Sequence, residues 1–211
     1  MNTIANATTA SANAALKPGF TDPVVEAQAT FRAAMLATAY AGRIVSTCIR
    51  VDDPAPFGSA TAALCLALMD FETPVWLQSH SEEASAWLRF HCGLPVITET
   101  VAATFAIVTD PASMPSLSAF HQGDIEYPER STTIIMQVPS LTGGPSMTWS
   151  GPGIKGSSVV AIAGLPSWFW SLWDLNRELY PRGLDIVFSC GNELISLPRT
   201  IQVVEKMGSV A

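Results

Sequence analysis

Positive charge is scarce in this chain. Its 211 residues carry 11 Lys and Arg against 18 Asp and Glu, for a formal net charge of −7 and a pI of ≈ 4.8. A protein that grips nucleic acid through its backbone needs a basic face, so the balance argues against that class. An anionic ligand would have to be held by a few well-placed Arg, His or N–H groups.

Cysteine and histidine are equally sparse. Cys48, Cys65, Cys92 and Cys190 lie far apart without a C-x-x-C pair, which removes support for a zinc ribbon or redox motif. Free thiols in a reducing cytosol are the expectation. His80, His91 and His121 fall in no ligand spacing, so no metal is expected.

Long apolar runs are missing too. The longest, ATAALCLALM at 60–69, is about half of a membrane span. The first 16 residues hold no positive charge and no compact apolar segment, unlike a secretory signal. A disordered tail over 1–20 and one domain over 21–211 are expected, in a soluble, cytoplasmic protein without membrane contact.

What is abundant is apolar surface: 48% of the residues are hydrophobic and 14% charged. That composition predicts a large core, or apolar surface reserved for partners. Asp22-Pro23 reads as a cap and first position of a helix, with Val24, Ala27, Phe31, Ala34 and Met35 at helical spacing up to Gly42. Ser59 opens SATAALCLALMD, apolar nearly all round and hence a central buried helix. Ser81 caps SEEASAWLRFHC, whose Glu82, Glu83, Arg89 and His91 suit the helix dipole.

PVWLQS, PVITE and TFAIVTD read as strands, and residues 113–120 as a short helix. TTIIMQV (132–138) reads as a strand to which PSMTWSG (145–151) returns antiparallel. LPSWFWSLWDLNREL (165–179) reads as a helix, and GLDIVFSC and ELISLPRT face each other across a Gly191-Asn192 turn. Interleaved strands and helices predict an α/β fold, a three-layer arrangement of a mixed sheet covered by helices.

In the Trp-rich helix, Trp168, Leu172, Leu175 and Leu179 share one stripe, while Trp170 projects about 200° from Trp168. Trp168, Trp170 and Trp173 are therefore candidate interface residues, with burial under a loop as the competing reading.

WSGPGIKGSS, 149–158, imitates a phosphate loop. Its lysine precedes the second glycine cluster and no helix follows, so a hairpin exit turn fits better than a P-loop or dinucleotide fingerprint. Lys155 stays open as an anion contact. Arg32, Arg89, His91, Asp185 and Arg199 are candidates for an anion or substrate site. Asp185, inside an apolar strand, needs a partner if buried, and Arg199 is the residue that would supply it. No triad or carboxylate pair emerges, so no catalytic residue is assigned.

Several segments in order resemble one family: FRAAM (31–35) with Gly42, LALMDFETPVWL (66–77), WLRFHCGLPV (87–96) and TFAIVTD (104–110). YPERSTTIIMQVPSLTGG (127–144), SGPGI (150–154), YPRGLDIVFSC (180–190) and LPRT (197–200) complete the set. The chain resembles the H subunit family of the bacterial carbon–phosphorus lyase system (PhnH), over roughly residues 20 to 204. Thr38, Ala41-Gly42 and Arg182 depart from that pattern.

The resemblance implies a subunit of the core complex with G, I and J. With G, I and L it would serve to form a ribose 1-phosphonate 5-triphosphate from ATP and an alkylphosphonate, a transferase step ahead of a lyase. It implies a homodimer with a fold like that of pyridoxal-phosphate-dependent transferases, but without the cofactor. The residues agree with that last point. A Schiff-base enzyme needs a pocket lysine, and only Lys17, Lys155 and Lys206 exist. Two roles follow: a mainly architectural subunit, or an anion-binding one that touches phosphonate or ATP directly.

Overall fold

In the computed structural model, which describes residues 16–205, two cores lie on the two faces of a seven-stranded sheet. The expected tail falls mostly outside the described residues. Its last part, 17–20, is packed: Phe20 lies against the core, and the Lys17 carbonyl accepts from Trp87 Nε1 at 2.9 Å.

The chain begins with α1 (Pro23–Ala39), capped by the Asp22 carboxylate, which accepts from the N–H groups of Val24 and Val25. After β1 (Val45–Ser46) comes α2 (Ser59–Leu68), in which residues 60–65 are all buried. Its N-cap is Gly58 rather than Ser59. The Ser59 hydroxyl instead accepts from the Val51 N–H at 2.9 Å, fastening the preceding loop to the helix.

Next come β2 (Val75–Leu77), α3 (Glu82–Cys92), β3 (Val96–Ile97) and β4 (Phe105–Val108). Ser81 caps α3, and Gly93 ends it in the left-handed region at φ 68°. The stretch 113–120 forms no α-helix. It holds 3-10 turns at Pro111–Ser113 and Leu117–Ala119, since Pro111 and Pro115 interrupt any longer ladder.

The remaining elements are β5 (Thr133–Gln137), β6 (Met147–Ser150), β7 (Ser158–Val160), α4 (Phe169–Glu178), β8 (Asp185–Cys190), β9 (Glu193–Leu197) and β10 (Gln202–Glu205). The main sheet runs β1-β9-β8-β5-β4-β2-β3, with its five strands from β8 to β3 parallel. β8 and β9 form the expected hairpin across Gly191-Asn192, with Cys190 opposite Glu193.

β5 and β6 are not partners. β5 sits between β4 and β8, whereas β6 pairs with β7 and β10 in a separate three-stranded sheet. Both edges of β5 are taken by the parallel strands β4 and β8, so none is free for a hairpin return. The chain leaves its layer at Gly144, where a Cβ would lie 2.0 Å from the Ile162 carbonyl oxygen.

The fold is α/β with a mixed sheet in three layers. The helical cover is uneven, with α4 alone on the second face among the described helices. α1, α2 and α3 share a core with Leu77, Ile107, Ile135 and Val187 on one face. On the other face Val108, Ile134, Met136 and Phe188 meet the small sheet and α4. Alternate residues of β4, β5 and β8 thus feed opposite cores, which is what a period-2 strand buried on both sides requires.

Two helices turn outward faces unlike those expected. In α1 the buried residues are Thr30, Ala33 and Ala37, while Val24, Phe31 and Met35 are 80%, 49% and 55% exposed. The two sets lie about 150° apart around the helix. Small residues let α1 approach α2 and β9 closely, and the bulky seam is left outside. In α4 the inward face is Phe169, Trp173 and Asn176, so Trp168, Leu172 and Leu175 lie on the partly open flank.

Candidate functional site

The sheet places its polar crevice at the carboxyl ends of β5 and β8, where open α/β sheets usually bind ligands. A cavity of ≈ 200 Å³ lies there, lined by Gly58, Thr61, Gln137, Ser189 and Cys190 among others. The N-terminus of α2 faces it, because the loop before Gly58 ties that end of the helix to the strand ends. The Gln137 side chain accepts from the Gly58 N–H at 2.5 Å and donates to the Pro56 carbonyl at 2.9 Å. The Ala60 N–H donates to the Gly191 carbonyl at 2.8 Å.

The remaining groups also satisfy one another. The Thr61 and Ser189 hydroxyls lie 2.9 Å apart, and the Cys190 thiol meets the Pro139 carbonyl at 3.4 Å. The crevice holds neutral donors and acceptors and no charge, so it can orient a polar group but cannot neutralise an anion. Sequence reading did not find it. Its one legible sign was the Gly191-Asn192 turn, which brings Ser189 and Cys190 to the start of α2.

The charged candidates do not converge. Arg32 is exposed on α1 and Arg89 is exposed in the last turn of α3. His91 is half-buried against Trp87, with ring centroids 4.7 Å apart, and its Nε2 lies 3.0 Å from the Lys17 carbonyl oxygen. A carbonyl only accepts, so this nitrogen donates and the ring clasps the segment before α1.

Asp185 and Arg199 do meet, at the opposite end of β8 from the crevice. The Arg199 guanidinium donates to both Asp185 oxygens, to the Pro128 and Pro181 carbonyls and to the Ser131 hydroxyl. All five of its N–H donors are engaged, leaving none for a substrate anion. The pair is a strut between chain segments.

The indoles are corrected as well. Trp173 is fully buried and its Nε1 donates to the Ile201 carbonyl at 3.1 Å, so it belongs to the core. Trp170 is half-buried, edge-on to Trp149 at 6.3 Å and to Phe169 at 5.0 Å. Trp168 alone stays at the surface, 36% exposed. Pro166 and a turn precede the helix proper, which starts at Phe169 and rotates the aromatic face inward.

Among the described residues no three His, Cys, Asp or Glu side chains come together to hold a metal ion. No described helix is long and apolar enough to cross a membrane.

Known proteins give this scaffold a family. A family model described as "Bacterial phosphonate metabolism protein (PhnH)" matches residues 18–204. The chain is 40% identical over 186 residues to the alpha-D-ribose 1-methylphosphonate 5-triphosphate synthase subunit PhnH of Rhizobium meliloti, covering 87% of this chain and 93% of that one. It is 27% identical over 179 residues to the putative C-P lyase subunit protein HtxG of Stutzerimonas stutzeri, covering 83% and 85%. With a match running from the packed segment before α1 into β10, the chain belongs to the PhnH family of bacterial phosphonate metabolism proteins.

Proposed function

We propose that this chain is a subunit of a carbon–phosphorus lyase assembly and that its part there is mainly architectural. The assembly would join an alkylphosphonate to the ribose of ATP with loss of adenine, giving a ribose 1-phosphonate 5-triphosphate. The names borne by both relatives support the assignment. Homodimerisation and contact with the G, I and J subunits belong to the same reading, as does a fold like that of pyridoxal-phosphate-dependent transferases that operates without the cofactor. Of the lysines, Lys17 is engaged elsewhere, its ammonium donating to the Asp53 carbonyl at 2.7 Å and lying 3.6 Å from Glu83.

The observation that carries the proposal is the outward seam of α1. Val24, Phe31 and Met35 lie within about 40° of one another around the helix, flanked by the 49%-exposed Leu36. A bulky apolar row facing water on a helix that buries its alanines is the signature of a surface covered by another chain. Trp168 and the 58%-exposed Leu175 offer a second, smaller patch.

The test is Phe31→Glu/Met35→Glu, read by native mass spectrometry of the chain alone and co-expressed with the other subunits. The expected outcome is a folded chain that fails to assemble, with synthase activity lost in proportion. A variant that assembles like the wild type would overturn the architectural reading.

A further inference from the structure

The loop that imitates a phosphate cradle is half of a concave site completed by a distant turn. Between β6 and β7 the chain passes through Gly151, Gly153 and Gly156, all at positive φ. Gly153 is indispensable there, because a Cβ would lie 2.1 Å from the Ala39 carbonyl oxygen. The loop is thereby pressed against the end of α1. Opposite it, the chain leaves α1 through the Tyr40–Arg43 turn, closed by an N–H to carbonyl bond of 3.1 Å. Between the two loops lies a cavity of ≈ 320 Å³, lined by Tyr40, Gly42, Arg43, Lys155, Ser157 and Ser158 among others.

The charges there are unusual for this molecule. Two of the 11 basic side chains line one cavity, in a chain of net charge −7, and no carboxylate is among the lining residues. Among the described residues the ion pairs are Lys17–Glu83 and Arg199–Asp185, so neither Arg43 nor Lys155 is neutralised. Arg43 is held in place by stacking on the Tyr40 ring, 4.7 Å from its centroid, which leaves the edge donors of the guanidinium free. The Ser157 and Ser158 hydroxyls add neutral donors. The loop is closed by the Ile154 N–H donating to the Gly151 carbonyl at 3.2 Å, and the N–H groups of Lys155 and Ser157, two lining residues, make no backbone hydrogen bond among the described residues.

We propose that this cavity binds a small oxyanion of the phosphate or phosphonate class, with Arg43 and Lys155 supplying the charge. Two neighbouring cations, one of them held by stacking, together with hydroxyls and backbone N–H groups make up a donor set that such anions select. The volume sits at the lower end of small-molecule pockets, about 300–1,000 Å³, so the ligand is one charged group with a short substituent or phosphate chain. This is not a P-loop, since β7 rather than a helix follows the glycines. The inference stands apart from the architectural role, which concerns the outward seam of α1 from Val24 to Leu36 and not the turn that follows the helix. The competing role is structural, with the two cations compensating the last carbonyls of α1.

Binding is measured on the full chain at low salt by phosphorus NMR line broadening and by calorimetry, using inorganic phosphate, methylphosphonate and tripolyphosphate as probes. The expected result is saturable binding, weakened at least about tenfold by Arg43→Ala/Lys155→Ala with an unchanged melting temperature. Preference for tripolyphosphate would identify a triphosphate end as the ligand group, and preference for methylphosphonate a phosphonate; either supports the site. The charge-matched control is Arg50→Ala/Arg182→Ala, whose substituted residues do not line the cavity. Equal weakening in the control, absence of saturable binding, or a lowered melting temperature with unchanged affinity would overturn the proposal. So would a double variant that fails to assemble with sister subunits while no probe binds the wild type, because the cavity would then seat a partner's acidic group.

Discussion

The Arg199 N–H and Nε both donate to Oδ1 of Asp185, at 2.8 and 3.2 Å, while Nη2 reaches Oδ2 at 2.5 Å. One side chain thus ties the start of β8 to the turn that follows β9, and its other donors fasten Pro128, Ser131 and Pro181. The arginine side chain is 12% exposed and the aspartate 32%, so water screens the pair only in part.

Removing one partner strands the other. Arg199→Met and Asp185→Asn are each expected to cost about 3 kcal/mol in urea unfolding. Arg199→Lys should restore little, since an ammonium has no fork to span both carboxylate oxygens and three further acceptors. If the pair served a ligand instead, these variants would keep their stability and lose only activity.

Trp173 and the α1 seam separate core from interface. Trp173→Ala empties a fully buried site and abandons the Ile201 carbonyl, so a loss of about 3–5 kcal/mol is expected, visible as a lowered urea midpoint in the isolated chain. Phe31→Ala, on the 49%-exposed seam, should leave that midpoint almost unmoved. Equal effects would mean that α4 and α1 had been assigned to the wrong environments.

Burial pushes the Cys92 thiol up to about 11 from an ordinary 9.0, and burial pushes Cys65 up as well, with the nearby Cys92 adding to it. At pH 8 the Cys92 thiolate is therefore about a hundredfold rarer in the folded chain than in the unfolded one. Iodoacetamide should alkylate Cys92 about a hundredfold faster once the protein is unfolded. The sign for stability follows. Both thiols favour the folded state below the unfolded value near 9.0, and that contribution is lost as pH climbs through the Cys92 value of about 11. Unfolding free energy should fall across that window, and a flat profile would contradict it.

Much of the local structure was legible because its causes are local. Asp22 and Ser81 cap their helices through their own side chains, and Gly191-Asn192 turns its hairpin through backbone geometry. The Asp185–Arg199 bond was legible for a different reason: a carboxylate inside an apolar strand needs a cation, and eight arginines left few choices. The partner of β5 was not legible, since a strand with two apolar faces pairs equally well by pattern with any neighbour.

By itself the sequence determined the family, the caps, the hairpin and the alternation of helix with strand, all of which depend on residues near one another or on order along the chain. Only the tertiary structure decided which face of α1 and α4 points inward. Periodicity says that Val24, Phe31 and Met35 share a side, yet the close approach to α2 and β9 selects the side bearing Ala33 and Ala37. It alone decided, too, that Arg43 and Lys155 face one cavity, because that meeting depends on how the end of one helix lies against a loop far along the chain.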